Sequence, residues 1–139
     1  MHVLLVEDEP TTALVTASAL RELPDVGKVT IAVDGADALD RLRSGAIAHD
    51  RLVILTDLEM PRMNGLELLD EIDKIPSLRG KPIAVCTTST DPEIREAALA
   101  HRVAAFFVKT GRGYLDALRT WMRDLGEAAT GDFVAVPAT

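Results

Sequence analysis

The sequence predicts one α/β domain with a doubly wound parallel sheet, and three observations support this fold class. Short apolar segments alternate strictly with longer stretches that carry apolar residues at helical spacing, five of each. The short segments are rich in Val and Ile and mostly lack polar alternation, as strands buried on both faces do. The length, 139 residues, suits a single compact domain. Such alternation favours parallel strands with right-handed crossovers and helices on both faces, and it leaves the strand order open.

The predicted strands are short apolar runs separated by glycine- or proline-containing turns. In chain order they are His2–Val6, Lys28–Val33, Leu52–Thr56, Pro82–Cys86 and Ala104–Val108.

The predicted helices carry apolar residues every three or four positions, and three of them follow residues that favour a helix start. Pro10 suits a first helical turn, and Asn64 and Asp91 are good N-caps. The helices are predicted over Thr11–Leu23, Gly35–Leu42, Gly65–Lys74, Pro92–Ala100 and Gly113–Leu125. The residues expected to face the core are Leu14, Ala17, Leu20 and Leu23; Ala38, Leu39 and Leu42; Leu66, Leu69 and Ile72; Ile94, Ala97 and Ala98; and Leu115, Leu118, Met122 and Leu125.

Near the C-terminus, apolar residues no longer recur at helical spacing. We therefore predict a domain over residues 1–125 and a tail over residues 126–139, with no separate output domain. Phe133, Val134 and Val136 in this tail suit an added strand or an interface arm.

Composition argues against several classes of partner. The chain has 22 acidic and 15 basic residues, a net charge of −7, which disfavours binding to nucleic acid phosphates. Aromatic residues make up 4%, too few for base-stacking platforms, and no apolar run is long enough to span a membrane. The single cysteine, Cys86, excludes an internal disulfide and indicates a reducing, cytoplasmic compartment. We expect neither nucleic acid nor a membrane as a partner.

Charged and hydroxyl-bearing residues follow four of the predicted strands. They are Glu7–Glu9, Asp57, Thr87–Ser89 and Lys109. Ligands of open parallel sheets bind beyond the carboxyl ends of the strands, so these groups are expected at one edge. Carboxylates placed together repel each other unless a cation relieves them, and Mg²⁺ with its oxygen ligands suits that need. Carboxylates beside a lysine and a hydroxyl indicate phosphoryl transfer, with a carboxylate able to act as the nucleophile.

Each of these residues also has an ordinary explanation when it is taken alone. The acidic run Glu7–Glu9 suits a solvated loop, Asp57 a turn, Thr87 and Thr88 a helix cap, and Lys109 a solvent-facing strand end. The joint arrangement is far less probable by chance, because strand register must bring four separate strand ends to one edge.

Four segments resemble the receiver domain of two-component response regulators, in particular the single-domain, CheY-like kind. They are LLVEDEP, TDLEMPRMNG (56–65), PIAVCTTS and AAFFVKT, in the order and spacing typical of that family. The resemblance covers about residues 1–125 and implies a flavodoxin/CheY-like sheet with strand order 2-1-3-4-5.

The resemblance implies a role for each matching residue of the site. Asp57 would be the phosphoacceptor. Glu7, Asp8, Asp57 and the backbone carbonyl of Glu59 would hold Mg²⁺, with Glu7 acting mainly through metal-bound water. Lys109 would be the cation that pairs with the phosphoryl group.

The resemblance also implies a switch and two modulating positions. Thr87 would be the switch hydroxyl and Phe106 the rotating aromatic residue. Glu59 would modulate the lifetime of the acyl phosphate, and Thr88 would narrow access to it. Thr110 stands where the family usually has proline, which predicts a more mobile loop after the fifth strand.

The implied function is that of a phosphoacceptor response regulator rather than a turnover enzyme, with slow autodephosphorylation as its only hydrolysis. A histidine kinase or phosphotransfer protein would donate the phosphoryl group. The output would be a protein contact, with an unidentified downstream protein or a second copy, through the face of the fourth helix, fifth strand and fifth helix. Arginines make this face locally basic: Arg95, Arg102, Arg112, Arg119 and Arg123, mixed with Asp116 and Asp124.

Three alternatives remain open from the sequence. The chain could be a receiver-like binding module that acts without phosphate, or a phosphohydrolase of the haloacid-dehalogenase type in which Glu59 serves as the second acid. A flavodoxin-like flavin protein is disfavoured, because the first strand is not followed by a glycine- and hydroxyl-rich phosphate loop.

Overall fold

The computed structural model describes residues 1–110 and 113–127, which form a five-stranded parallel sheet with helices on both faces. The sheet order is β2-β1-β3-β4-β5, and every neighbouring pair is parallel. The strands are β1 (His2–Val6), β2 (Lys28–Ala32), β3 (Leu52–Thr56), β4 (Ile83–Thr87) and β5 (Ala105–Val108). The predicted fold class and the strand order implied by the resemblance are confirmed.

The helices start within one residue of their predicted positions. They are α1 (Pro10–Arg21), α2 (Gly35–Arg43), α3 (Gly65–Asp73), α4 (Pro92–Leu99) and α5 (Tyr114–Glu127), and a short 3-10 turn covers Pro76–Leu78. Helix α5 continues two residues past Leu125, so the first two residues of the predicted tail are helical. The predictions for residues 128–139, including the arm at Phe133, Val134 and Val136, lie outside the described residues.

Two apolar cores lie on opposite faces of the sheet. Helices α2, α3 and α4 cover one face, where Leu39, Leu69 and Phe106 are buried. Helices α1 and α5 cover the other face, where Leu20 and Trp121 are buried. The sequence therefore builds a three-layer sandwich in which the central strands β1, β3 and β4 are almost wholly buried, as their continuous apolar runs require.

The predicted core stripe of α1 is wrong at Leu14, which is 60% exposed. The helix instead buries Ala13, Ala17 and Leu20, a stripe with equally good helical spacing. Its two alanines are small enough to lie directly against the sheet, and this places Leu14 about 100° away around the helix. Helix α4 shows the same kind of error, because Ala98 is buried and Ala97 is exposed.

Backbone bonds extend the sheet beyond the ends of β1 and β3. The Glu7 N–H donates to Ala32 O (3.0 Å), and the Asp57 N–H donates to Val6 O (3.1 Å). These bonds place Glu7 and Asp57 side by side at the carboxyl edge, where the residues after the other strands also emerge.

The chain turns tightly from β3 into α3. Asn64 accepts a bond from the Glu67 N–H (2.9 Å), and the Glu67 side chain accepts one from the Asn64 N–H (3.2 Å), which forms a capping box. At Gly65 a Cβ atom would lie 2.7 Å from Leu58 Cα, so only glycine fits at the start of α3.

Across residues 1–110 and 113–127, no helix combines the length and the apolar character that a membrane span requires.

Candidate functional site

Three carboxylates meet at the carboxyl edge of the sheet. Glu7, Asp8 and Asp57 each offer an oxygen within 4.8 Å of the other two. Glu7 and Asp57 are largely buried, and Asp8 is exposed. Glu7 and Asp57 directly follow the neighbouring strands β1 and β3, and Asp8 is the next residue after Glu7. This explains why residues 50 positions apart in sequence become neighbours.

One amine is shared by two of these carboxylates. The Lys109 Nζ donates to Asp57 Oδ2 (2.8 Å) and also to Glu7 Oε1, and only 7% of its side chain is exposed. Three carboxylates against one ammonium leave the ionised cluster with a net negative charge. Oxygen donors with excess negative charge are the set that a hard divalent cation such as Mg²⁺ prefers, so these residues fit that ion.

Burial and pairing have opposing effects on the pKa values of Glu7 and Lys109. Burial raises the pKa of Glu7, and the hydrogen bonds from Lys109 and the Glu9 N–H offset only part of that effect. For Lys109, burial lowers the pKa, but the bonds to Asp57 and Glu7 outweigh it and hold the pKa above its usual value. The Lys109 side chain is therefore a fixed positive charge.

The Asp57 carboxylate is oriented by three donors. Its Oδ1 accepts bonds from the backbone N–H groups of Leu58 (2.6 Å) and Glu59 (3.3 Å). Its Oδ2 accepts the bond from Lys109 described above. The loop that follows Asp57 thus holds one oxygen, and the end of β5 holds the other.

A cavity of about 400 Å³ opens beside Asp57 between the starts of α1 and α5. Thr88 is one of the residues that line it, and its role in controlling access stays a prediction. Tyr114 also lines it, and the sequence analysis did not single this residue out. Burial raises the pKa of Tyr114, whose hydroxyl contacts Thr16 and Cys86. The cavity is lined by Glu7, Asp8, Glu9, Thr12, Val15, Thr16, Asp57, Thr88, Lys109, Tyr114 and Leu115.

Thr87 and Phe106 lie outside the lining of this cavity. Thr87 is fully buried at the end of β4, and its hydroxyl oxygen accepts a bond from the Ser89 N–H (3.2 Å). In the β4–β5 register Thr87 pairs with Val108, and Val85 pairs with Phe106. Alternation along the strands therefore puts Thr87 and Phe106 on the same face of the sheet.

The remaining predicted positions lie around this edge. Glu59 is exposed and contacts Asp57 through its backbone N–H. Thr110 is exposed, and the predicted mobility of the loop after it concerns residues 111 and 112, which lie outside the described residues.

The arginines of the predicted output face have separate environments. The Arg95 guanidinium lies 5.2 Å from the centre of the Phe106 ring. Arg119 pairs with Asp116 at 3.2 Å within α5. Arg102 and Arg123 are exposed, and Arg112 lies outside the described residues.

The order β2-β1-β3-β4-β5, with acidic residues after β1 and β3 and a lysine after β5, defines the class of receiver-like α/β domains. The sequence matches the family described as "Response regulator receiver domain" over residues 3–117. The chain belongs to this family.

Two relatives show how this domain is used elsewhere. The probable methanogenesis regulatory protein FilR2 of Methanothrix harundinacea is 34% identical over 110 residues, covering 77% of this chain and 70% of that protein. The protein-glutamate methylesterase/protein-glutamine glutaminase of Desulfotalea psychrophila is 32% identical over 109 residues, covering 78% of this chain and 29% of that protein. The chain thus spans less than a third of the length of the methylesterase.

Solved structures share the fold over almost the whole chain. The phosphorylated cyanobacterial phytochrome response regulator RcpA is 26% identical, with a TM-score of 0.77 and coverage of 95% of this chain and 96% of that one. The Mn²⁺-bound form of response regulator Rcp1 has a TM-score of 0.79 at 24% identity, covering 96% and 99% of the two chains.

Proposed function

We propose that this protein accepts a phosphoryl group on Asp57, with Mg²⁺ bound, and passes the signal on through a protein contact. The observation that carries the proposal is the ion pair between Lys109 Nζ and Asp57 Oδ2 (2.8 Å) beside the carboxylates of Glu7 and Asp8. Membership of the receiver family, the phosphorylated RcpA and the Mn²⁺-bound Rcp1 support the same assignment.

The donor in this proposal is a phosphohistidine of a histidine kinase or phosphotransfer protein. A carboxylate oxygen of Asp57 forms a bond to phosphorus as the phosphorus–nitrogen bond of the donor breaks. The electron pair of the broken bond stays on the donor imidazole, and the product is an acyl phosphate. Lys109 holds the carboxylate in place and pairs with the charge that the phosphoryl oxygens carry.

The metal site in this proposal consists of Glu7, Asp8, Asp57 and the backbone carbonyl of Glu59. When bound, Mg²⁺ neutralises charge on the phosphoryl oxygens and relieves the repulsion among the carboxylates. Two neighbours would set the phosphate lifetime: the exposed Glu59 side chain next to Asp57, and Thr88 in the cavity wall.

The switch in this proposal links Thr87 to Phe106. The Thr87 oxygen accepts from Ser89, which leaves the hydroxyl proton free to be donated to a phosphoryl oxygen. Movement of Thr87 changes the space on the sheet face where Phe106 packs under Arg95. Reversing a two-state equilibrium takes about 5 kcal/mol of differential binding, and charge-assisted bonds from Thr87 and Lys109 would supply much of it.

The output surface in this proposal is the α4–β5–α5 face, which contacts a downstream protein or a second copy. Its state would follow phosphorylation because the Phe106 side chain of β5 packs against Arg95 of α4. The cytoplasmic location indicated by the single cysteine stays a prediction. Comparing size-exclusion profiles and pull-downs of the phosphorylated and unphosphorylated protein tests this surface.

The first prediction tests Asp57 directly. With acetyl phosphate and Mg²⁺, the parent protein should gain one phosphoryl group by intact-mass spectrometry, and Asp57→Asn should gain none. The asparagine oxygen still accepts the bonds from Leu58 and Glu59, so the variant should fold. Asp40→Asn, on the exposed side of α2, is the matched control and should be labelled like the parent. Full labelling of Asp57→Asn would overturn the assignment, and steady turnover of phosphate esters would favour a hydrolase instead.

A further inference from the structure

The loop after Asp57 is tied to the start of α2 by an ion pair that the sequence analysis did not anticipate. The Arg62 guanidinium donates from Nε to Asp34 Oδ2 (2.6 Å), and its Nη2 lies 2.5 Å from the same oxygen. The other Asp34 oxygen accepts from the Asp37 N–H at 2.8 Å and caps α2. The Asp34 side chain is only 4% exposed. Both of its oxygens are therefore engaged, and Arg62 supplies the charge that balances the buried carboxylate.

The pKa of Asp34 agrees with this geometry. Burial raises it, but the Asp37 N–H and the Arg62 guanidinium together outweigh burial and hold the pKa below its usual value. Asp34 is ionised at neutral pH, so its attraction to Arg62 is present under ordinary conditions.

Backbone contacts beside the pair also join the loop to the start of α2. The Gly35 N–H donates to Met63 O (3.0 Å), and a Cβ atom at Gly35 would lie 2.5 Å from that oxygen. Arg62 has φ of 64°, in the left-handed region that non-glycine residues rarely occupy. Such a conformation persists where surrounding contacts enforce it, and the bond to Asp34 is one such contact.

This loop carries the groups that orient Asp57. The Glu59 N–H donates to Asp57 Oδ1, and the Glu59 carbonyl is the proposed backbone ligand for Mg²⁺. The Gly65 N–H donates to Leu58 O (2.9 Å) and closes the base of the loop. Arg62 holds the opposite end, so the Glu59 peptide lies between two fixed points.

We propose that Asp34 and Arg62 are positioning residues, whose ion pair holds the Glu59 peptide in the orientation that the site needs for Mg²⁺ binding and phosphoryl acceptance. Neither side chain touches the reacting carboxylate, and the pair acts through the loop backbone. The inference rests on the proposed function. It adds that the geometry of the Mg²⁺ and phosphoryl site depends partly on a residue pair outside that site. Outer contacts that orient ligands commonly change metal affinity by about tenfold or more.

Two variants break the pair in different ways and preserve the local backbone. Arg62→Gly removes the guanidinium, and glycine adopts a positive φ without steric strain. Asp34→Asn removes the charge and keeps an oxygen to cap α2. The matched control is Arg43→Ala, which removes an ion pair with Glu71 (3.0 Å) that also joins α2 to α3 but lies far from the loop.

The test measures the Mg²⁺ dissociation constant by isothermal titration calorimetry and, separately, the rate of labelling by acetyl phosphate at saturating Mg²⁺. Arg62→Gly and Asp34→Asn should each weaken Mg²⁺ binding about tenfold. Arg43→Ala should bind Mg²⁺ like the parent. The double variant should bind no more weakly than the weaker single variant, because both changes remove one interaction.

The outcomes separate this inference from the proposed function. Parent-like Mg²⁺ affinity in both folded variants would overturn the positioning role, even if their melting temperatures fall as that of Arg43→Ala does. Failure of the parent to become labelled on Asp57 would overturn the proposed function, and the Mg²⁺ titrations would still decide the role of the pair.

Discussion

The charge balance among four side chains defines the site at the scale of single residues. Lys109 is shared between Asp57 and Glu7, and the exposed Asp8 adds a third carboxylate. One ammonium cannot neutralise three carboxylates, so a second cation has a favourable place there. The same lysine fixes Asp57, which means that orientation and partial charge neutralisation come from one group.

Cys86 is a thiol close to the site whose reactivity is lowered by burial. It lies in β4, directly before Thr87, and burial raises its pKa to about 12. At pH 8 its thiolate fraction should be about three orders of magnitude below that of a free cysteine. We predict that a disulfide reagent at pH 8 modifies the native protein very slowly and the urea-unfolded protein rapidly.

The pH dependence of this effect follows from the raised pKa. The unfolded chain releases the thiol proton near pH 9, and the folded chain keeps it to about pH 12. The contribution of Cys86 to stability is therefore complete below pH 9 and is lost as the pH rises through that interval.

In the experiment with the disulfide reagent, Cys86→Ser is the control that cannot react. Rapid modification of the native protein at pH 8 would show that the thiol is accessible.

Some of these residue contacts could be predicted from the sequence, and others could not. The convergence of Glu7, Asp57 and Lys109 follows from their places at strand ends, although their roles in phosphotransfer stay predictions. The Asp34–Arg62 pair depends on a left-handed backbone conformation at Arg62. No local sequence pattern predicts that conformation. The place of Tyr114 in the cavity depends on how α5 packs against α1, so it is visible only in three dimensions.

At the scale of whole elements, strands and helix starts were predictable because turns and caps mark them. The buried face of α1 was not, because two apolar stripes overlap on that helix. The stripe of Ala13, Ala17 and Leu20 and the stripe of Leu14, Ala17 and Leu20 have similar spacing. The choice between them depends on how closely the helix approaches β1 and β2, which is a property of the sheet.

A pair of matched truncations tests this orientation of α1. Leu20→Ala should lower the free energy of unfolding by about 2–5 kcal/mol, because it opens a cavity in the core. Leu14→Ala should change it by less than about 0.5 kcal/mol, because Leu14 is mostly exposed. Urea unfolding at equilibrium measures both values. A loss of several kcal/mol in Leu14→Ala would restore the orientation that the sequence suggested.

At the scale of the whole molecule, the candidate site lies at the carboxyl edge of a sheet that has an apolar core on each face. The carboxyl ends of β1, β3 and β5 bring the charged groups together, and the cavity beside Asp57 opens at this edge. The net charge of −7 adds to the local excess of carboxylates. Cation binding should therefore stabilise the molecule as a whole.

We predict that Mg²⁺ raises the melting temperature of the parent protein. A ligand at about one hundred times its dissociation constant adds about 2.7 kcal/mol, which corresponds to a rise of several degrees for a domain of this size. Chelation by EDTA should reverse the rise. Asp8→Asn, which removes an exposed carboxylate and leaves the Lys109 pairs intact, should abolish most of it in differential scanning calorimetry. An equal rise in Asp8→Asn would place the bound ion elsewhere.

The position of the single tryptophan has a practical consequence for optical experiments. Trp121 packs edge-on against Phe107 in the α1/α5 layer, and the sheet separates it from Phe106 and Arg95. The fluorescence emission of Trp121 should therefore respond to changes in the packing of α5 and should change little when side chains beneath α4 rearrange. Following activation by fluorescence would therefore require a probe on the other face of the sheet, such as p-cyanophenylalanine at position 106.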